Sequence, residues 1–407
     1  MNLAYSPCLQ NEFLYLNKMP NFKCKTVNNI SLPVDINGVS FKWLCTNNHS
    51  SLLYTSFEGE SFFLQILPKK DSFLIKSHKD TRISKIGYIQ KALLEFKNLF
   101  CEDILSEANA LKKTRLLKKD LYIEDDIQNF ISNISSFDKV FLEIGFGSGR
   151  HLLYQAKTNT NTLIVGIEIY TKAIEQVAKL AFSQNLQNVL LLKADARLLF
   201  SLLPSNSINK IFLHFPVPWD KQEHRRIISS SFSRDCFRIL KKDGIFELRT
   251  DSEEYFSFSL NILSSFFKEI KYHKNEDIKI KSKYEDRWLK QEKDIYTVRA
   301  VCDEQSPAFK IEDFDINELS FCKDKLNHIA KNFKRIKFKG DDFFLHLQDI
   351  FEADDFLVLK LDFGSFDKPQ HSFLLLGEKC EFLFRQPFFT KENLAALKEL
   401  KNILYSL

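Results

Sequence analysis

Closely spaced cysteine pairs and long apolar runs are both missing from this sequence. Its eight cysteines are scattered without a CxxC spacing, which argues against a zinc site or a compact disulfide framework and favours a reducing compartment. No apolar stretch approaches the roughly 18–20 residues that a membrane-spanning helix needs. Met1–Cys8 also lacks the charged and then apolar pattern of a signal peptide. We therefore expect a cytoplasmic protein with no membrane partner.

A strong excess of one sign of charge is also missing, with 58 lysines and arginines against 53 acidic residues. The net charge of +5 at pH 7 neither demands nor excludes a polyanionic partner, so the placement of the charges is more informative than their total. The hydrophobic share of 44% and the charged share of 27% are those of an ordinary globular protein. Because 407 residues exceed what one hydrophobic core usually organises, two or three domains are expected.

Three segments with different patterns follow one another. Residues 1–110 form a predicted β-rich extension, in which runs such as SFKWLCT and SFFLQIL alternate with turn residues and precede a helix at Ile86–Phe100. In residues 111–303, apolar strands alternate with helical segments, which predicts a doubly wound, mostly parallel sheet of α/β class. After the linker DEQSP, residues 304–407 form a predicted α+β domain.

Two stretches of the chain are rich in lysine and arginine. LKKTRLLKK spans Leu111–Lys119, and KNFKRIKFKG, in the third segment, combines cations with aromatic residues. Both patterns are typical of nucleic-acid contacts, and equally of solvated faces or of dimerisation and solubility elements. The sequence leaves these alternatives open.

A glycine-rich turn follows the first strand of the middle segment. In EIGFGSGRH, Gly145, Gly147 and Gly149 alternate with larger residues and precede a predicted helix. Such a turn lets a ligand approach the backbone closely. Dinucleotide-binding enzymes usually have GxGxxG, whereas this sequence has GxGxG, with Glu143 placed to repel a pyrophosphate. The pattern therefore argues against a nicotinamide dinucleotide.

Acidic residues stand at the ends of three successive predicted strands. Glu143 precedes the glycine turn, Glu168 closes VGIEIY, and Asp195 follows the third strand in KADARLLF. Glu168 can accept from two ribose hydroxyls and Asp195 from an adenine amino group. Three such acids fit a nucleoside that carries an ammonium and a sulfonium, which is S-adenosylmethionine. The alternative is a packing turn with unrelated surface acids.

The fourth strand runs into FPVPW, at Phe215–Trp219. In a doubly wound sheet this end of the strand borders the ligand, and the two prolines make it a stiff lip on which a flat base can stack. The cations that follow, Lys221, His224, Arg225 and Arg226, are placed to hold the phosphates of that nucleotide. The alternative is a core tryptophan next to an ordinary basic helix face.

Two further elements map to the same edge of the sheet. Asp251 follows the fifth strand in RTDSEEY, and SKYEDR spans Ser282–Arg287. Carboxylates such as Asp251 and Glu285 can accept from guanine N1–H and its exocyclic amine, a pairing that adenine cannot offer. Each could equally be a helix cap or a surface ion pair.

The motifs EIGFGSG, GIEIY, FPVPWDKQEHRRI, RTDSEEY and SKYEDR, in this order, resemble the bacterial tRNA (guanine-N7)-methyltransferase family over about residues 121–301. The resemblance implies a Rossmann-like class I methyltransferase fold, S-adenosylmethionine as cofactor, tRNA and not DNA as partner, and a guanine of the variable loop as target. It also implies a list of contacts: the cofactor on Glu143, Glu168 and Asp195, and the guanine on Lys221, Asp251 and the Ser282–Glu285 element.

One position departs from the family pattern. Val217 stands between the two prolines, where the family usually has an acid, and Asp220 is the carboxylate nearest to it in sequence. Ser282 replaces a threonine but keeps the hydroxyl. Guanine N7 carries an in-plane lone pair, so methyl transfer needs alignment of the reactants and no general base. We therefore expect an active enzyme, with Asp220 and Lys221 as its catalytic groups.

The sequence also permits two other functions. A class I methyltransferase acting on another RNA or on an exocyclic amine is one, although Phe215 occupies the place where such enzymes usually carry Asn or Asp. A non-catalytic RNA-binding protein that kept the fold is the other.

Overall fold

The computed structural model describes residues 20–81, 83, 85–108, 122–124, 127–280, 285, 291, 293–309 and 314–407. The basic stretch Leu111–Lys119 and the predicted site residue Ser282 lie outside the described residues. None of the helices within those ranges combines the length and the apolar character that crossing a bilayer requires.

Strands and helices follow one another in three groups along the chain. The first group is β1 Asn21–Val27, β2 Val34–Ile36, β3 Val39–Thr46, β4 Ser51–Phe57, β5 Glu60–Lys69, β6 Ser72–Ser77, α1 Ile86–Phe100 and β7 Cys101–Glu107. The second group is β8 Ile123–Glu124, α2 Ile127–Asn133, β9 Val140–Ile144, α3 Arg150–Thr158, β10 Leu163–Glu168, α4 Thr171–Ser183, β11 Val189–Lys193, α5 Ala196–Phe200, β12 Ile208–His214, α6 Ser230–Ile239, β13 Leu240–Thr250, α7 Glu253–Leu263, β14 Glu269–Lys274 and β15 Tyr296–Val301. The third group is α8 Lys323–Asn332, β16 Ile336–Lys339, β17 Phe344–Glu352, β18 Leu357–Gly364, β19 Gln370–Leu376, β20 Glu381–Leu383 and α9 Lys391–Ser406.

The chain forms two units, and the terminal segments share one of them. Unit 1 combines Met1–Leu116 with Asp313–Leu407, and unit 2 is Leu117–Glu312. The three predicted domains, 1–110, 111–303 and 304–407, keep the terminal segments apart. In the structure their strands belong to one sheet, in the order β20-β19-β18-β17-β3-β4-β5-β6-β1-β7, with β17 bridged to β3 at Glu352 and Thr46.

Apolar packing explains why the terminal segments join. Trp43 on β3 contacts Phe356 edge to face, with ring centroids 4.9 Å apart, and Phe63 on β5 meets Phe373 on β19 at 5.0 Å. These rings belong to a buried cluster drawn from both segments. Burial of aromatic surface of this size is a main source of folding free energy, and neither segment supplies this cluster alone.

Unit 2 contains the predicted doubly wound sheet. Its strand order is β14-β15-β13-β12-β9-β10-β11-β8, and β15 is the strand that runs antiparallel to its neighbours. All five residues of β9 and all but the first of β10 are buried, as expected for parallel strands covered by helices on both faces. The chain order reverses between β9 and β12, so the carboxyl ends of these two strands form the crevice where ligands bind in such sheets.

Strands β1, β2, β7, β8, β14 and β17 have no counterpart among the predicted elements, and β14 and β17 show why. The sequence of β14 is EIKYHK, and almost all of it is exposed, so it carries no apolar signal. In β17 a register irregularity between Leu347 and Asp349 breaks the alternation of apolar and polar residues. Both strands form because a neighbouring strand offers backbone partners, which a local pattern does not record.

Candidate functional site

The glycine turn is open where a ligand has to approach. Gly145, Gly147 and Gly149 all have positive φ, of 68°, 51° and 73°. A Cβ built on Gly145 would have no atom within 4 Å, whereas one on Gly149 would lie 2.5 Å from a methyl group of Val177. The first glycine therefore leaves space above the turn, and Gly149 lets α3 begin directly against α4.

Glu143 lies inside β9, paired in register with Gly166 of β10 and Phe212 of β12, and is 4% exposed. Its carboxylate accepts a hydrogen bond from Nδ1 of His151 at 2.7 Å. His151 belongs to the first turn of α3, immediately after the glycine turn. A buried carboxylate needs such a partner, and this one ties the strand to the start of the helix.

A chain of buried titratable groups continues from this pair. The rings of His151 and His214 are 4.5 Å apart, His214 donates to Glu247 at 2.9 Å, and Glu247 accepts from Arg299 at 2.7 Å. Burial acts to lower the pKa of His151, but the charge and hydrogen bond of Glu143 raise it above its ordinary value. Burial lowers the pKa of His214.

The pKa of Glu247 is lowered although the residue is buried. Burial alone would raise its pKa, yet hydrogen bonds from His214 and Arg299 lower it to about 2. Glu247 is therefore a carboxylate at neutral pH, and His214 is held between it and His151. The chain links β9, β12, β13 and β15 beneath the crevice.

Glu168 stands at the predicted strand end with one oxygen available. Its Oε1 accepts from the backbone N–H groups of Ile169 and Tyr170, at 2.7 and 3.1 Å, and no described residue donates to Oε2. Asp195 follows the neighbouring strand β11 and caps α5, but Arg197 donates to both of its oxygens, at 2.8–3.2 Å. A ligand at Asp195 therefore shares this carboxylate with a guanidinium.

The FPVPW lip has two backbone conformations that large side chains rarely adopt. Phe215 and Trp219 have φ of 52° and 49°, in the left-handed region, where a bulky residue costs on the order of 1–3 kcal/mol. The N–H of Phe215 donates to the carbonyl of Arg249 at 2.7 Å, which fixes the start of the lip to β13. Val217, at the position of the family's acid, is 51% exposed.

Arg226, a predicted phosphate contact, is buried and bonded within the protein. It is 3% exposed, its Nε donates to the carbonyl of Pro218 at 2.7 Å, and Nη2 donates to Glu254 on α7 at 2.6 Å. Its guanidinium also lies 4.5 Å from the centre of the Phe258 ring. Arg226 therefore fastens the lip to α7.

Lys221 and Arg225, two other residues of the basic cluster, are exposed. Arg225 stacks its guanidinium over Trp219 at 5.0 Å, and Asp220 and Lys221 are exposed beside it. The side chain of His224 lies outside what the structure describes. Among the described side chains, the lip and the segment after it thus offer the cations Lys221 and Arg225, the indole of Trp219 and the exposed carboxylates of Asp220 and Glu223.

Glu285, a predicted guanine acceptor, is likewise engaged within the protein. It is buried, and both of its oxygens accept from the guanidinium of Arg249, each at 2.9 Å. Nε of Arg249 donates to Thr297 at 3.3 Å. Asp251 remains at the tip of β13, where Lys293 donates to it at 2.9 Å. The Arg249–Glu285 pair joins β13 to the predicted Ser282–Glu285 element.

Residues that the sequence motifs did not identify therefore hold the site together. His151 gave a weak signal, since it follows the glycine turn directly. Arg249 begins the motif RTDSEEY, but the motif does not indicate its partner Glu285, 36 residues away, and Lys293 gave no signal because Asp251 is 42 residues away.

Comparison with known proteins gives matches over most of the chain. The family model described as "Putative methyltransferase" matches residues 138–298. A tRNA (guanine-N(7)-)-methyltransferase of Campylobacter jejuni strain RM1221 is 50% identical over 388 residues, or 95% of this chain and 98% of the relative. Relatives of the same name from Campylobacter fetus subsp. fetus and Wolinella succinogenes are 43% and 35% identical, each over 95% of this chain and at least 99% of their own. The similarity thus extends over unit 1 as well as unit 2.

The two adjacent arginines of the lip should respond differently to the same substitution. Arg226→Lys keeps the charge but loses the planar fork that reaches Pro218 and Glu254, so we expect the free energy of unfolding to fall by about 2 kcal/mol. Arg225→Lys, at an exposed position, should change it by less than about 0.5 kcal/mol. Urea denaturation of both variants measures this, and equal losses would contradict the structural role of Arg226.

The stability contributed by the two buried histidines should depend on pH in opposite directions. His151 has a raised pKa, so its stabilisation is complete below its ordinary pKa and is lost as pH rises through the folded value. His214 has a lowered pKa, so its stabilisation is present above its ordinary pKa and is lost as pH falls. The stability deficit of His151→Gln should therefore be larger at about pH 6 than at about pH 9, and that of His214→Gln should be larger at about pH 9. Urea unfolding at both pH values tests this, and parallel profiles for the two variants would refute it.

Proposed function

The chain belongs to the tRNA (guanine-N7)-methyltransferase family, and from this premise we propose that it methylates N7 of a guanine in the tRNA variable loop at the crevice of unit 2. Its activity is that of an S-adenosylmethionine-dependent methyltransferase. The proposal includes a cytoplasmic setting and tRNA as the partner, with neither DNA nor membrane involved.

Glu168 is the observation that carries this proposal. A carboxylate fixed by two backbone N–H groups, with its second oxygen facing no described donor, matches a pair of ribose hydroxyls. The open side of Gly145 and Gly147 would admit the rest of the cofactor, with Gly149 shaping the turn. Glu143 would act on the ammonium end and Asp195 on the adenine, each together with the side chain that already bonds to it, His151 and Arg197.

The chemistry requires alignment more than acid–base groups. Bound S-adenosylmethionine supplies an electrophilic methyl group on a sulfonium. The lip would hold the guanine by stacking, Lys221 and Arg225 would hold its phosphates, and Asp251 would accept from its N1–H edge. Positioning of this kind can account for about 7–11 kcal/mol of a barrier. His224 and Ser282 remain predicted contacts.

Val217 does not remove a necessary group on this proposal. Positive charge moves from sulfur to the purine as the methyl group transfers, and a carboxylate near the lip stabilises it. Asp220 is exposed on the same lip, with Oδ1 3.9 Å from Nη2 of Arg226, so it can supply that charge without accepting a proton.

Methylation of tRNA by the purified protein tests the function directly. With S-adenosylmethionine and tRNA, we expect N7-methylguanine, which borohydride and aniline cleave and methylated exocyclic amines resist. Glu168→Gln should raise the KM for the cofactor about tenfold or more with unchanged tRNA affinity, since a neutral amide accepts more weakly from the ribose. Glu378→Gln, at an exposed carboxylate of unit 1, is the matched control. Binding of tRNA without any N7 methylation would overturn the proposal.

A further inference from the structure

A second surface in unit 1 has the features of a ligand site. Next to the β16–β17 hairpin lies a cavity of about 380 Å³. We call it the hairpin cavity and define it by the lining residues Lys337, Lys339, Phe344, His346 and Phe366. None of these residues belongs to the crevice of unit 2.

An exposed aromatic ring forms one wall. Phe366, in the β18–β19 loop, is 53% exposed and stacks on Phe344, with ring centroids 5.8 Å apart and planes at 24°. Its loop is ordered by Ser365, which bonds to Asp367 at 2.5 Å. Gln370, which begins β19 after this loop, accepts from Asn393 on α9. Because one face of the Phe366 ring packs on Phe344 and the residue is half exposed, its other face is accessible for stacking.

Two cations stand beside this ring. Lys337 and Lys339 alternate along β16 and therefore share one face of the sheet. Nζ of Lys339 lies 5.5 Å from the centre of the Phe366 ring. Both lysines are exposed, and neither makes an ion pair with another described residue. Their charges are available to an anionic partner.

The acid paired with His346 in the sheet already bonds to other side chains of the protein. Asp362 on β18 is paired with His346 in the sheet, and its two oxygens bond to the side chains of Gln348 and His371. Asp341 and Asp342 lie in the β16–β17 turn, beyond the end of β16. None of these acids forms an ion pair with Lys337 or Lys339 among the described residues.

A polar atom in this cavity lacks a partner. Nε2 of His346 is buried and accepts or donates no hydrogen bond among the described residues. A buried polar atom without a partner costs about 1–3 kcal/mol. Burial also lowers the pKa of His346, so the ring is neutral and offers one donor and one acceptor. A ligand with a polar edge would satisfy Nε2.

We propose that the hairpin cavity binds an unpaired nucleotide of the tRNA substrate, with its base stacked on Phe366, its phosphates at Lys337 and Lys339, and a polar atom at His346. Aromatic rings interleaved with cations are the usual platform for single-stranded nucleic acid. The choice of tRNA as ligand rests on the proposed function. The stacking and charge arguments do not depend on it.

Binding of tRNA by the full-length protein tests this inference without the cofactor. Phe366→Ala should weaken the affinity about tenfold or more, because one base loses its stacking partner. Lys337→Glu combined with Lys339→Glu should flatten the slope of log K against log salt concentration by about 1.4, since two phosphate contacts disappear. Lys69→Glu with Lys70→Glu, at the exposed end of β5 and in the turn after it, removes the same charge and should leave the slope nearer to that of the wild type.

The outcomes separate this inference from the proposed function. Unchanged affinity and slope in both cavity variants, measured by fluorescence anisotropy with folded protein, would overturn it. Equal slopes for the cavity pair and the turn pair would also overturn it, because a general charge effect would then explain the result. Weakened binding in the variants, with no N7-methylguanine from the wild type, would sustain the cavity and reject the function.

Discussion

The buried pair of Glu143 and His151 is the interaction on which the site depends. Every residue of β9 is buried, so a carboxylate in its middle needs a cationic or hydrogen-bonded partner on the same face. His151 supplies it from the first turn of α3, at 2.7 Å. This contact requires α3 to begin immediately after the glycine turn, and Gly149 makes that possible because it has no side chain to collide with Val177. The pair and the turn therefore fix each other.

The same principle of paired charge applies to two buried arginines of unit 2. Arg226 and Arg249 are both buried, and each connects a loop to a regular element: the lip to α7, and the Glu285 segment to β13. Strained conformations at Phe215 and Trp219 persist because these anchors hold the chain on both sides. Rigid support leaves the exposed residues, Arg225 among them, free to contact a substrate.

The sequence predicts the sheet of unit 2 well because parallel strands buried on both faces are continuous apolar runs, such as LIVGIE in β10. Glu168 and the glycine turn lie at the ends of β10 and β9, as the strand pattern indicated, while their roles as cofactor contacts stay predictions. The sequence does not show which charged residues form ion pairs inside the protein and which are exposed to a ligand. Arg226 and Arg225 are neighbours with the same side chain, yet one is buried against α7 and the other covers Trp219, and only the tertiary fold decides between them.

Val217 fits an enzyme whose main task is alignment. In-line transfer of a methyl group to the lone pair of guanine N7 requires fixed geometry and no proton acceptor. On the proposed function, the absence of a carboxylate at Val217 weakens the stabilisation of charge but removes no step of the reaction. Binding energy from parts of the substrate remote from the reacting atoms can hold the reacting atoms in place. On the proposed function, a nucleotide bound in the hairpin cavity of unit 1 would add such energy. The terminal segments would then contribute to catalysis through affinity for tRNA, while the crevice of unit 2 supplies the chemistry.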